Sequence, residues 1–112
     1  MEPVKHSKGW GYELWIANNE KYCGKILHFN KGKRCSYHYH KLKQETFYVE
    51  SGKVEVRYGN QLQSKTTVLH PGDNFEVPTG LVHQIFAIEE SKVFEFSTTH
   101  FESDSYRIEL GD

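Results

Sequence analysis

The feature that most constrains this chain is its punctuation. Short runs rich in β-branched and aromatic residues recur at intervals of about 8–12 residues, each closed by turn chemistry. Residues 12–17, 22–30, 46–50, 53–58, 66–70, 74–77, 83–89 and 93–98 read as strands. Between them stand Asn18-Asn19, Lys31-Gly32-Lys33, Ser51-Gly52, Gly59-Asn60, Pro71-Gly72-Asp73 and Pro78-Thr79-Gly80, which are turn signals. Lys53-Val54-Glu55-Val56-Arg57-Tyr58 alternates strictly, as a strand with one wet face does. No window carries a sustained helical period between caps. Residues 101–110 are compatible with one helical turn or a last strand. So many short strands predict an all-β sandwich or barrel.

With 112 residues the chain is expected to form a single domain spanning 1–112. Hydrophobic residues at 37% and charged residues at 26% are a globular balance. Lys plus Arg number 14 and Asp plus Glu 15, which argues against a nucleic-acid or anionic-membrane partner. The longest apolar runs, 14–17 and 85–88, are far short of the ~20 residues that span a bilayer. No apolar leader follows Met1, and Cys23 and Cys35 are too few for a disulfide framework. The expectation is a cytoplasmic protein with reduced thiols. Seven His residues direct attention to metal or acid–base chemistry.

Two segments stand out by spacing. His38 and His40, two apart on a strand, can aim both imidazoles at one point. Glu45 opens the next apolar run after a short link and could stand beside them. His83 follows a Pro-x-Gly turn, and a barrel closing on itself could return it to the same place. Three imidazoles and one carboxylate suit Fe(II), Mn(II), Ni(II), Co(II) or Zn(II), with positions left for water or substrate. His28, Glu95 and His100 lie on runs that could face the interior and are candidate general bases. Lys25 and Arg34 could receive a phosphate. Phe29, Tyr37, Tyr39, Phe47, Phe75, Phe86 and Phe94 could supply an aromatic lining for a flat or apolar substrate, although in most barrels such side chains are core.

The sequence resembles the cupin superfamily. Residues 32–52 match its first motif, Gly-x5-His-x-His-x3–4-Glu-x6-Gly, through Gly32, His38, His40, Glu45 and Gly52. Gly72, Pro78, Gly80 and His83 match its second, whose final Asn is Ala87 here. The resemblance implies a double-stranded β-helix (jelly-roll) barrel. It also implies one divalent transition metal held by His38, His40, Glu45 and His83. A narrower resemblance, to small mannose-6-phosphate isomerase-like cupins, rests on three stretches. They are Trp10-Gly11-Tyr12-Glu13-Leu14-Trp15, Lys43-Gln44-Glu45-Thr46 and the tail Ser105-Tyr106-Arg107-Ile108. His38 stands where many of those proteins carry Gln.

Three activities follow from the resemblance. The first is aldose–ketose isomerisation of a sugar or sugar phosphate through a metal-stabilised enediolate. The second is oxygen-using chemistry of the Fe(II) dioxygenase kind. The third is non-catalytic binding of a small metabolite or metal. Cupins that cleave sulfonium acids carry a Tyr two residues after the motif Glu. That position is Phe47 here, which argues against this activity. A homodimer is expected, with residues 10–16 either making the contact or completing their own barrel.

Overall fold

The structure is a computed structural model that describes residues 1–112. Eleven strands and one 3-10 turn make up its regular structure. They run β1 (Val4–Lys8), β2 (Gly11–Asn18), β3 (Cys23–Phe29), β4 (Tyr37–Tyr39), β5 (Glu45–Ser51), β6 (Val54–Gly59), β7 (Ser64–Leu69), β8 (Asn74–Val77), β9 (Val82–Ala87), β10 (Ser91–Ser97) and β11 (Tyr106–Glu109). The 3-10 turn, Glu102–Asp104, precedes β11. No helix is long and apolar enough to cross a membrane.

All pairings are antiparallel and form two sheets. One has the order β1-β2-β3-β10-β5-β8 and the other β11-β4-β9-β6-β7. Consecutive strands repeatedly land in opposite sheets, and this is the jelly-roll architecture expected from the strand spacing. Alternation along each strand points one set of side chains inward. On β3 the buried set is Cys23, Lys25, Leu27 and Phe29, while Gly24, Ile26 and His28 face outward. The apolar core gathers Trp10, Leu27, Phe29, Phe47, Val49, Val54, Val56, Leu69, Val77, Ile85, Ala87 and Val93. Trp10 stacks on Phe29 at a centroid distance of 4.2 Å.

Gly52 shows why the first motif needs its last glycine. Its φ is +86°, and a Cβ there would collide with the Glu90 carbonyl and the Ser91 Oγ. Only glycine allows the β5–β6 turn to pass so close to the start of β10.

All eight expected strands form, with ends displaced by at most two residues. Two more, β1 and β4, lie outside the expected runs. Residues 101–110 hold both alternatives in succession, a single 3-10 turn and then a strand. The run 10–16 is largely spent on β2, which is bonded on one edge to β1 and on the other to β3. It completes its own sheet, and the open edges belong to β1, β8, β11 and β7.

Candidate metal centre and the polar end of the barrel

Three strands deliver the candidate ligands to one place. His38 on β4 is the register partner of His83 on β9, so the two lie side by side on the same inner face. His40 follows two residues after His38, and Glu45 opens β5 in the opposite sheet. One ligating atom from each of His38, His40 and His83 falls within 4.8 Å of the others. Glu45 Oε2 lies 3.3 Å from His40 Nε2, and Glu45 Oε1 lies 3.4 Å from His83 Nε2. Two donors bound to one ion at about 2.1 Å stand about 3.0–3.4 Å apart at angles of 90–109°.

The backbone sets the tautomer of all three rings. His38 Nδ1 is 2.8 Å from the Ser36 carbonyl, His40 Nδ1 is 2.8 Å from the Asp104 carbonyl, and His83 Nδ1 is 2.9 Å from the Leu81 carbonyl. A carbonyl only accepts, so each Nδ1 carries the proton and each Nε2 keeps a bare lone pair. His40 Nε2, His83 Nε2 and Glu45 Oε2 are buried without a hydrogen-bond partner. Three lone-pair atoms facing one another in a buried site is costly unless something positive sits among them. The donor set, nitrogen and carboxylate oxygen, fits a divalent transition ion.

The charge states agree with that use. Burial, then the neighbouring His83, pushes the His38 imidazole down to about 3. His40 is also lowered, chiefly by burial. Both rings are therefore neutral at ordinary pH, as a ligand must be. Burial works to raise the Glu45 carboxyl. The Lys43 ammonium, 3.2 Å away, outweighs it and holds the group well below the usual carboxylate range.

Behind Glu45 lies a second layer. Lys43, 3% exposed, places its ammonium 3.2 Å from Glu45 Oε2, 3.1 Å from Glu95 Oε2 and 3.1 Å from His100 Nδ1. Its contact with Glu45 has the distance of an ion pair but not the direction of a hydrogen bond, which is why Glu45 Oε2 stays without a donor. Ser97 Oγ donates to Glu95 Oε2 at 3.0 Å. Burial, then the charge on Glu45, raises the Glu95 carboxyl. Burial, then Lys25 and Lys43, pushes His100 down to about 3.

Asp104 organises the loop between β4 and β5. It accepts N–H bonds from Lys41 at 2.8 Å, Leu42 at 3.2 Å and Lys43 at 3.0 Å. Its carbonyl orients His40. Burial opposes ionisation of Asp104, and the three N–H donors prevail, so its carboxyl titrates below the usual value.

These groups open on a cavity of about 620 Å³. Lys25, Glu95 and His100 line it, as do Glu13, Trp15, Lys43, Ser36 and Arg107. Two expected site residues do not. His28 falls on the outward set of β3, stacked on Tyr12 at 4.9 Å and 3.0 Å from Glu90 Oε1. One residue of parity puts it through the sheet from the cavity. Arg34 is exposed, with its guanidinium 4.7 Å from the centre of the outward Phe86 ring. Neither side chain reaches the site.

The aromatic lining is also revised. Phe29 and Phe47 face the cavity, and Phe75 packs against the core beside Tyr58. Phe94 lies on the outer face beside Tyr48, and Tyr39 stacks on Tyr106 there. Tyr37 is covered by Arg57 at 3.9 Å and donates to the Asn60 carbonyl at 2.8 Å. Trp10, Trp15, Lys43 and Asp104 were not foreseen. Parity on a strand starting at Gly11 could have found Trp15, since it shares a face with Glu13. Nothing local marks Asp104, whose partners lie about 60 residues away in sequence.

A small antiparallel jelly roll with an inward triad of Nε2 atoms at one end defines the class: a β-barrel able to bind a metal. The cupin domain model matches residues 25–98, well over half of the chain, and the protein belongs to the cupin family. No curated protein matches it in sequence. Among solved structures, the capsular polysaccharide assembling protein CapF from Staphylococcus aureus superposes with a TM-score of 0.82 at 17% identity, over 96% of this chain and 34% of CapF. KdgF from Halomonas sp. superposes at 0.78 with 20% identity, over 89% of this chain and 91% of that one. Oxalate decarboxylase from Bacillus subtilis superposes at 0.81 with 21% identity, over 95% of this chain and 30% of the enzyme. This chain therefore spans about a third of CapF and of the decarboxylase, and the likeness is one of fold.

Proposed function

We propose that this cupin holds one divalent transition ion through His38, His40, His83 and Glu45. We propose further that it acts on a small hydroxylated molecule, a sugar or sugar phosphate, by moving a proton between adjacent carbons. One observation carries the choice over a flat apolar substrate: the wall beside the triad is charged. Lys25, Lys43, Glu13 and Glu95 line it beside His100, while five of the seven expected aromatics lie outside the cavity.

A divalent ion bound there would stabilise negative charge as it develops on substrate oxygen. The chain's own residues supply the rest. The Ser36, Asp104 and Leu81 carbonyls keep the three rings oriented. Lys43 holds Glu45 and Glu95 close without letting the two carboxylates meet. Glu95 and His100 are the groups that can take and return a proton at the cavity wall. Glu95 is the stronger candidate, because its raised carboxyl is nearer the range in which a base exchanges protons.

The test is solvent exchange. The protein, purified without added metal and analysed for Fe, Mn, Ni, Co and Zn, is incubated in D2O with mannose 6-phosphate, glucose 6-phosphate and the free sugars. Deuterium at C2, read by NMR, supports the reading. A stoichiometrically metal-loaded protein that exchanges no C–H proton on this panel overturns it.

A further inference from the structure

The cavity contains two buried lysines, and they are not equivalent. Lys43 has hydrogen-bond partners in Glu95 Oε2 and His100 Nδ1, both at 3.1 Å, and its charge is also faced by Glu45 Oε2 at 3.2 Å. Lys25 is 3% exposed and is much less well served. Its one polar partner is Glu13 Oε1 at 3.4 Å, and that oxygen already accepts the Trp15 indole N–H at 2.8 Å. The face of Trp15, 4.4 Å from Nζ, supports the charge from one side. An ammonium has three N–H donors, so Lys25 keeps two that no protein acceptor takes.

Register places this group opposite the triad. Trp15 pairs with Lys25, Lys25 with Glu95, and Glu95 with Phe47, which forms one inward row across β2, β3, β10 and β5. The row belongs to one sheet, and His38 and His83 belong to the other. A molecule in the cavity lies between them.

Charge bookkeeping then selects the ligand. Lys8, Lys25, Lys43 and Arg107 are set against Glu13, Glu45, Glu95, Glu102 and Asp112 around the cavity, one negative charge in excess. A divalent ion at the triad reverses this to one positive charge in excess. A single negative charge neutralises it, whereas a phosphate dianion overshoots. A phosphate would also call for several converging donors, and Lys25 is one ammonium, the guanidinium that lines the cavity, Arg107, standing on β11 in the opposite sheet.

We propose that Lys25 is the anchor for a carboxylate carried by the substrate, which makes the substrate class a sugar acid or similar hydroxy acid. This replaces the sugar phosphate of the preceding proposal with a sugar acid, keeps its proton transfer, and rests on its four-ligand ion. Lys25 is a specificity-determining residue here, with no part assigned to it in proton transfer.

The experiment compares matched sets on the Zn(II)-reconstituted full chain by calorimetric titration: glucose, glucuronate and glucose 6-phosphate, then mannose, mannuronate and mannose 6-phosphate. The carboxylate member is expected to bind at least tenfold tighter than the neutral sugar and no weaker than the phosphate. Lys25→Met keeps the length of the side chain, so it should keep its zinc and lose that preference. Lys25→Arg should retain it. Equal binding of neutral and carboxylated sugars overturns the assignment, as does a preference that survives in Lys25→Met. Tighter binding of the phosphate overturns it too. Should Lys25→Met fail to fold, the matched sets on the parent protein still decide. A carboxylate preference without C–H exchange sinks the isomerisation and leaves the subsite standing. Exchange without the preference does the reverse.

Discussion

The two ends of the barrel are built from the same strands and differ in what those strands turn inward. On β3 the inward series runs Cys23, Lys25, Leu27, Phe29. On β5 it runs Glu45, Phe47, Val49. On β9 His83 is followed by Ile85 and Ala87, and on β10 Val93 is followed by Glu95. Within two residues the interior passes from charged to apolar. Strand geometry is indifferent to that change, since parity decides only which face a side chain occupies. The apolar end holds the barrel closed, and the polar end carries ionisable groups whose burial is tolerated because they face one another or a ligand. A departure from apolar character at an inward position therefore marks the site.

That contrast can be broken by experiment. The largest effect is expected at the apolar end. Ile85→Ala removes a side chain 2% exposed in the core and should lower unfolding free energy by about 2–5 kcal/mol in urea titrations. A loss below ~1 kcal/mol would show that the apolar end is not what closes the barrel. Two residues along the same strand, His83→Ala should act on metal instead. Bound metal, measured by elemental analysis, should fall from about one equivalent to near none, with the metal-free protein still folded by circular dichroism. Unchanged stoichiometry would remove His83 from the ligand set.

Asp104→Asn probes the clasp between the two regions. It weakens three N–H bonds to the loop that carries Lys43, and loss of a charged acceptor costs about 1–3 kcal/mol. The pH dependence has a defined sign. A carboxyl lowered in the folded state contributes stability above its unfolded value of about 3.9 and loses it as pH falls through the folded value. The parent should therefore lose stability below about pH 4, and the variant should lose less over that interval. Identical acid profiles would refute the clasp. The smallest effects belong to the outer face. His28→Ala and Arg34→Ala should leave metal content unchanged and shift stability by about 0.5 kcal/mol or less. A loss of metal in either would contradict the outward placement of both.

Much of this arrangement was legible before any coordinates. The alternation in 53–58 is the outward and inward series of β6, and turn residues mark nearly every strand end. His38 and His40 share a face because they are two apart, and Glu45 does open a strand. Where the reading missed, it missed by parity or by distance. His28 lies on a run that could face the interior, but a strand starting at Cys23 places even-numbered residues outside. β4 has only three residues, too short for a period to show. β1 is almost wholly exposed, so no apolar pattern announces it.

By itself the sequence determined the all-β class, the turns and the candidate ligand set, because these depend on spacing along the chain. The tertiary structure alone decided which inward rows face each other. It set Lys25 beside Glu95, aimed the Asp104 carbonyl at His40 and gave Lys43 two hydrogen-bond partners and a further carboxylate contact while Lys25 kept a single partner. The physical reason is that each of these pairings joins residues dozens of positions apart. Their meeting is fixed by the register of antiparallel strands once the barrel has closed, and no local propensity encodes that register.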